Sequence, residues 1–426
     1  MHTLSFTAVS TAILAGLAHG QTACSGVPAA KYPYKLAEGW SAVKVADGLK
    51  TPRHMAIDKQ GRLLVAEQYK GLSQHTIDAA TGCITASKSL IDDKQLNHGI
   101  YFSPDGLTLY ASTSFNVYRW AYDPATGQLG NERTTLVTNM STSGHTTRTL
   151  IVHPSKPNLL VVSVGSDGNF DMPSVDPAVG RAIVKVFDIS TVPKGDTSTP
   201  TMAGRPATVF ATKSACLLTR MRSILWGVEN SGDDLERIIN GTTTDIHQNN
   251  PAEKLNYLGD ISKPNPNWYG YPTCWTVGEP AEIKDASFQI GDQIIQAPNS
   301  TFDDSTCAKM VTPPAMTFES HQAPLDSKFD ADSKNLYVAL HGSWNRDPPQ
   351  GYKLVAVPFT TQDDGSYRPV ADRNMKRGYT EILYPQSEAA CSSTTCTRPC
   401  GLVWDAAGRL YMTSDTSGEI FLLSKA

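Results

Sequence analysis

One strand–turn–strand phrase recurs along this 426-residue chain, and no other feature limits its fold so tightly. It reads RHMAIDKQGRLLVAE from Arg53, HGIYFSPDGLTLYAS from His98 and RTLIVHPSKPNLLVVSVG from Arg148. It returns as LDSKFDADSKNLYVALHG from Leu325 and CGLVWDAAGRLYMTSD from Cys400. Each copy is a short apolar strand, a tight turn such as DKQG, SPDG or DAAG, and a second strand. Further strands follow, among them VYRWAYD (117–123), AIVKVFDI (182–189) and EIFLLS (419–424). Four short antiparallel strands per unit is the arithmetic of an all-β propeller. The 177 residues between Arg148 and Leu325 must hold one more blade, around LWGVENSGDDLERII, plus the long Cys-bearing loops NPNWYGYPTCWTVGE and IQAPNSTFDDSTCAKM. The expectation is therefore a six-bladed β-propeller with units starting near 53, 98, 148, 215, 325 and 400. EIFLLS is expected to complete a blade opened by the first mature residues and so close the ring.

Composition narrows the function. Net charge is −4 and the 37 Lys and Arg are scattered without a basic run, which argues against nucleic acid. Leu4 to Leu17 is apolar but too short to span a bilayer, and Ala18-His19-Gly20 offers small residues before a cleavage point. Residues 1–20 therefore read as a secretory signal, residues 21–426 as a single domain, and the protein as secreted, off the membrane and monomeric. Asn139, Asn240 and Asn299 open Asn-x-Ser/Thr sequons. Eight cysteines follow the signal with no CxxC, so disulfides are favoured over zinc or redox chemistry. Of 105 possible connectivities, Cys24–Cys83, Cys274–Cys307 and Cys391–Cys396 are expected, leaving Cys216 and Cys400.

The repeat register points to a site. It places Arg53, His98, Arg148, Leu325 and Cys400 in one equivalent position, at the start of each blade's first strand. First strands line a propeller's channel, so two arginines and a histidine should meet at one mouth; the alternative is three unrelated residues capping strand ends. Arg398 and Arg346 would add charge on that face. Guanidinium groups bind carboxylates or phosphates bidentately, so such a funnel wants a small polyanion. A histidine beside it is a natural general base. The stretch HGSWNRDPPQGYKLV, from His341, crowds His341, Trp344 and Arg346 at a strand end where a hairpin needs only its Asp, Pro and Gly residues.

HGSWNR followed by GYK, with LNHG, HTTRTL…VGSDGN, GYPTCW, WGVENSGDDL and RPCGLVWD, resembles the quinoprotein sorbosone- and pyranose-dehydrogenase family. The likeness is strongest to secreted fungal pyranose dehydrogenases dependent on pyrroloquinoline quinone (PQQ), and runs from about Pro33 to Leu423. The resemblance implies oxidation of a pyranose or 2-keto sugar at the anomeric carbon. His98 would be the catalytic base, with Arg53, Arg148, His341, Trp344, Arg346 and Arg398 around PQQ. It also implies Ca²⁺, whose ligands stay unassigned; Asp167, Asn169 and Asp171 in SDGNFD could be a set, or only a turn. Relatives often carry a cytochrome domain and a carbohydrate-binding module, which this chain is read as lacking. Electrons would then leave to an external partner, such as a cytochrome or a copper polysaccharide oxygenase.

One element departs from the family pattern. No Gly-x-Arg-Asn opens the fourth blade; VFATKSACLLTRMRSILWGVEN stands there, with Arg220 and Arg222 not followed by Asn. A catalytically silent binding propeller is therefore one alternative. A metal-dependent lactonase is another, disfavoured because Arg and His at the repeat positions would repel a divalent ion.

Overall fold

The computed structural model describes residues 22–141, 143–190, 192, 209–211, 217–221 and 224–425. The signal reading at 1–20, Cys216 and Arg222 lie outside these described residues.

Six sheets stand around one axis. Blade 1 runs Pro52–Ile57, Leu63–Glu67, Gly71–Ile77, Ile84–Ile91, and blade 2 runs Leu96–Phe102, Thr108–Thr113, Val117–Asp123, Gln128–Val137. Blade 3 is Leu150–Val152, Leu159–Val164, Ile183–Asp188, Val209–Ala211, and blade 4 is Leu217–Met221, Ile224–Glu229, Glu253–Asp260, Met316–Phe318. Blade 5 is Pro324–Phe329, Asn335–Leu340, Lys353–Thr361, Thr380–Pro385. Blade 6 takes Pro399–Trp404, Leu410–Ser414 and Glu419–Lys425, and its outer strand is Trp40–Ala46 from the other end of the chain. The six expected blade starts are all present, and the ring closes as expected.

The turns show why the phrase repeats. Asp58 Oδ1 accepts from the Gln60 and Arg62 amides at 2.9 Å each, and Oδ2 from Arg62 Nε at 2.7 Å. Asp405 does the same for Ala407, Arg409 and Arg409 Nε, at the same distances. Gly61 and Gly408 close these turns at φ +81° and +76°, where a Cβ would be strained. DKQGR and DAAGR are thus one turn built twice.

Adjacent blades bury an apolar layer between them. Ala56 and Leu64 meet Leu96 and Leu109, Leu150 meets Val117, and Val161 meets Leu225. Trp226 meets Phe359, Leu383 meets Phe421, and Tyr411 meets Leu63. The three expected disulfides are formed, and Cys400 is the free cysteine among the described residues. The long blade-4 insertions hold two short ribbons and a helix, Asp304–Met310, stapled by Cys274–Cys307. Arg237 holds this insertion together, binding Asp285 and Asp304 at 2.7 Å each. That helix was not expected; its seven residues are too few to show a helical period. No helix among the described residues is long and apolar enough to cross a membrane.

Phe421, fully buried between blades 5 and 6, tests the closure. Phe421→Ala should cost about 3–5 kcal/mol, read as an earlier midpoint in guanidinium unfolding.

Candidate active site

The first strands of four blades are irregular where the sequence placed the site. Pairing to the second strand slips between Pro52 and Met55, Leu96 and Ile100, Pro324 and Asp326, and Pro399 and Leu402. A bulge breaks the in–out alternation and re-aims side chains. Arg53 and His54 are neighbours in sequence, yet both face the axis. Arg53 lines a cavity at the mouth, while His54 Nε2 lies 3.3 Å from Asp326 of blade 5, across the channel.

The cavity has a volume of about 290 Å³ and opens at the ends of the second strands. One wall is cationic around a single carboxylate. Asp415 Oδ2 accepts from Arg53 Nη1 at 2.5 Å, and Oδ1 lies 2.9 Å from His341 Nε2. Burial alone would raise the Asp415 pKa, but His341, Arg53 and Arg398 outweigh it and hold the group well below the usual carboxylate range. Arg398 donates Nε to the His341 carbonyl and Nη2 to that of Gly342, so it fixes the loop it faces. The opposite wall carries Asp233, Glu253 and His321. Burial pushes the Glu253 carboxyl up to about 7, against His321. His321 is raised despite its burial, because Asp233, the His247 carbonyl and Glu253 favour the cation.

The HGSWNR loop is rigid for a packing reason. A Cβ on Gly342 would lie 2.6 Å from the Tyr352 ring, and one on Gly351 would lie 2.6 Å from the Gly342 Cα. HG and GY are therefore spaced so that two strand ends can touch. Trp344 projects from the tip, 70% exposed at the rim.

Three sequence expectations move. Arg148 is fully buried and does not line the cavity. Its Nε and Nη2 donate to Ser114 O, and Nη1 to the carbonyls of His145 and Thr147. It positions backbone instead of meeting a ligand, and burial lowers its pKa to about 10. Arg346 is likewise committed, to Gln248 O at 3.0 Å and Asn249 Oδ1 at 2.8 Å, and ties the Trp344 loop to the blade-4 insertion. His98 lies below the cavity, 1% exposed, its ring parallel to His54 at 5.4 Å between centroids. Burial, then Arg53 and His54, push it well below the ordinary histidine range, and it does not line the cavity. Arg53, His341, Trp344 and Arg398 do come together there.

SDGNFD is a turn. Asp171 binds Arg181 through both oxygens at 2.7 Å, and Asn169 Oδ1 accepts from the Asp233 amide. Among the described residues no three His, Cys, Asp or Glu side chains cluster as metal ligands.

The register missed His145, which lines the cavity three residues before Arg148. Its Nδ1 lies 2.9 Å from Ser166 Oγ and 3.2 Å from Ser166 O. Since that hydroxyl donates to Gly168 O at 2.8 Å, its oxygen is an acceptor toward the ring, as the carbonyl must be. Nδ1 therefore carries the proton and Nε2 the lone pair. HTTRTL was visible as a motif, but only side-chain direction separates its His from its Arg. Asp415 was missed because TSDTSG looks like a plain turn.

Asp415→Ala would leave Arg53, whose side chain is 11% exposed, without its carboxylate. It should cost about 3–5 kcal/mol by denaturant unfolding. Because the native pKa of Asp415 lies below its unfolded value, its contribution is complete above the usual carboxylate range and is lost as pH falls below about 4. Asp415→Asn should flatten that acid limb.

A family profile described as TrAA12-like matches residues 34–426. A pyrroloquinoline quinone-dependent pyranose dehydrogenase of Coprinopsis cinerea is 41% identical over 408 residues, 94% of this chain and 56% of that protein. The chain thus spans little more than half of that relative. The holo PQQ domain of Coprinopsis cinerea pyranose dehydrogenase superposes with a TM-score of 0.88 at 40% identity, covering 95% of this chain and 100% of that one. A calcium structure of a Trichoderma reesei family AA12 protein superposes with a TM-score of 0.85 at 33% identity, covering 94% and 100%.

Proposed function

The chain belongs to the TrAA12-like family, and from that premise we propose that it is a PQQ-dependent pyranose dehydrogenase. It oxidises a pyranose or 2-keto sugar at the anomeric carbon and passes the electrons to an external acceptor. The observation that carries the reading is the convergence of Arg53 and Arg398 on one cavity with donors to spare. Arg53 Nε is buried with no hydrogen-bond partner among the described residues, and Arg398 commits only Nε and Nη2. Two such guanidinium groups suit a planar ligand rimmed with carboxylates. A cavity of about 290 Å³ suits one flat ring system, with the sugar over it at the rim.

Bound there, PQQ would supply the two-electron redox chemistry. The protein's own groups bind, orient and move the proton. Arg53 and Arg398 would hold its carboxylates, Asp415 keeps Arg53 and His341 in place, and Trp344 at the rim would offer the sugar an aromatic face. His145 Nε2 takes the hydroxyl proton, a role that passes to it from His98 because it lines the cavity in the accepting tautomer. Arg148 sustains that tautomer indirectly by pinning the His145 backbone. A Ca²⁺ ion, an oxygen-seeking cation, would find no cluster of three His, Cys, Asp or Glu side chains to hold it among the described residues. Asn139, Asn240 and Asn299 are all exposed, which supports the secreted reading.

Reconstitution with PQQ and Ca²⁺, then L-fucose or 2-keto-glucose and a dye acceptor, should reduce the dye; no PQQ binding by calorimetry would sink the proposal. His145→Ala should lower kcat by about 10²–10⁴-fold with PQQ affinity retained. Under the same conditions His98→Ala should keep most of its turnover, and loss of turnover there would return the base to His98. Arg398→Ala should weaken PQQ binding ahead of any effect on kcat.

A further inference from the structure

A cavity larger than the one at the mouth lies elsewhere on the ring. A groove of about 910 Å³ runs between blades 4 and 5, bordered by Trp226 near the start of one second strand and by Gln362 just past the end of one third strand. Second strands run toward the mouth and third strands away from it, so both places lie toward the opposite face. The groove is thus separate from the catalytic cavity and shares no residue with it.

Its lining combines ring faces with uncommitted polar groups of both kinds. Tyr257 is 47% exposed and set edge-on to Trp226, with centroids 5.1 Å apart. On the blade-5 side of the groove is Tyr367, fixed by its hydroxyl bond to Ser333 O and by packing on Phe359 at 5.6 Å. The same lining carries Asp372, Arg373 and Asn374, none of whose side chains makes a hydrogen bond or ion pair to a described residue. Sugars ask for this mixture. Their axial C–H faces lie on aromatic rings, and each hydroxyl donates once and accepts elsewhere, so a site needs carboxylate or amide acceptors beside guanidinium donors. The volume is near the top of the range for small-molecule sites and leaves room for more than one pyranose.

We propose that this groove is a second saccharide-binding site, gripping a stretch of neutral oligo- or polysaccharide on the face away from the mouth. Tyr257 and Tyr367 supply the stacking surfaces, and Asp372, Arg373 and Asn374 address the hydroxyls. A protein held this way would keep its mouth toward solution.

The test uses the cofactor-free protein, titrated with cellohexaose, xylohexaose and maltohexaose by calorimetry. At least one should bind, Tyr257→Ala should weaken it about tenfold or more, and Arg373→Ala should weaken it independently. Both variants should retain wild-type unfolding midpoints and monosaccharide turnover after reconstitution. Retention on the insoluble polymer of the same linkage would identify a polymer as the natural occupant; binding in solution without retention would identify free oligosaccharide. No binding of any of the three at millimolar concentration would overturn the proposal, as would binding that survives both substitutions.

Discussion

One carboxylate organises the mouth. Asp415 sits in a short turn of blade 6, yet it reaches Arg53 of blade 1 and His341 of blade 5 at once. A buried guanidinium is tolerable only with a counter-charge close by, and a buried imidazole keeps a defined tautomer only with a fixed partner. Asp415 meets both needs with its two oxygens. Arg398 then packs over the same group and holds the HGSWNR loop by its carbonyls. Three blades are thus tied to one another at the ligand face, and the cationic wall is a network in place before any ligand arrives.

The propeller was legible because its signals are local. Five copies of the phrase, three of them with Asp and Gly in the turn, gave blade starts that agree with the inner strands. The site was legible only in part, for a geometrical reason. Reading equivalent positions across repeats assumes that every strand alternates strictly, and four of the six inner strands are bulged near their first residues. Arg53 and Arg398 line the cavity all the same, His98 on a bulged strand does not, and Arg148, before a strand whose pairing is regular, is drawn into the wall by its carbonyl partners. Charge was read correctly and direction was not. His145 shows the limit well: it lies three positions from an expected residue in a motif already singled out, and only the Ser166 contact reveals its role.

Arg148 and Arg346 share a second lesson. Both are arginines near an anion-seeking site, and both donate to backbone carbonyls or an amide of neighbouring loops. Five N–H groups in a rigid fork suit loop carbonyls as well as carboxylates. Sequence cannot distinguish an arginine that meets a ligand from one that secures the loop beside it. The hydrogen-bond partners can, since a guanidinium whose donors already meet carbonyls has none left to offer.

The pairing of Trp40–Ala46 with Glu419–Lys425 joins segments nearly the whole chain apart. A strand so early cannot find its sheet until the final strand exists, so during synthesis the apolar faces of blades 1 and 5 must wait without the sixth blade between them. The arc of five blades is the state most exposed to mispairing, because its edges offer unsatisfied amides and carbonyls to any other chain. Contacts of such long range also make the last step slow. The Cys24–Cys83 bond, which ties the start of the chain to blade 1, shortens that search by keeping the early strand beside the gap it will fill.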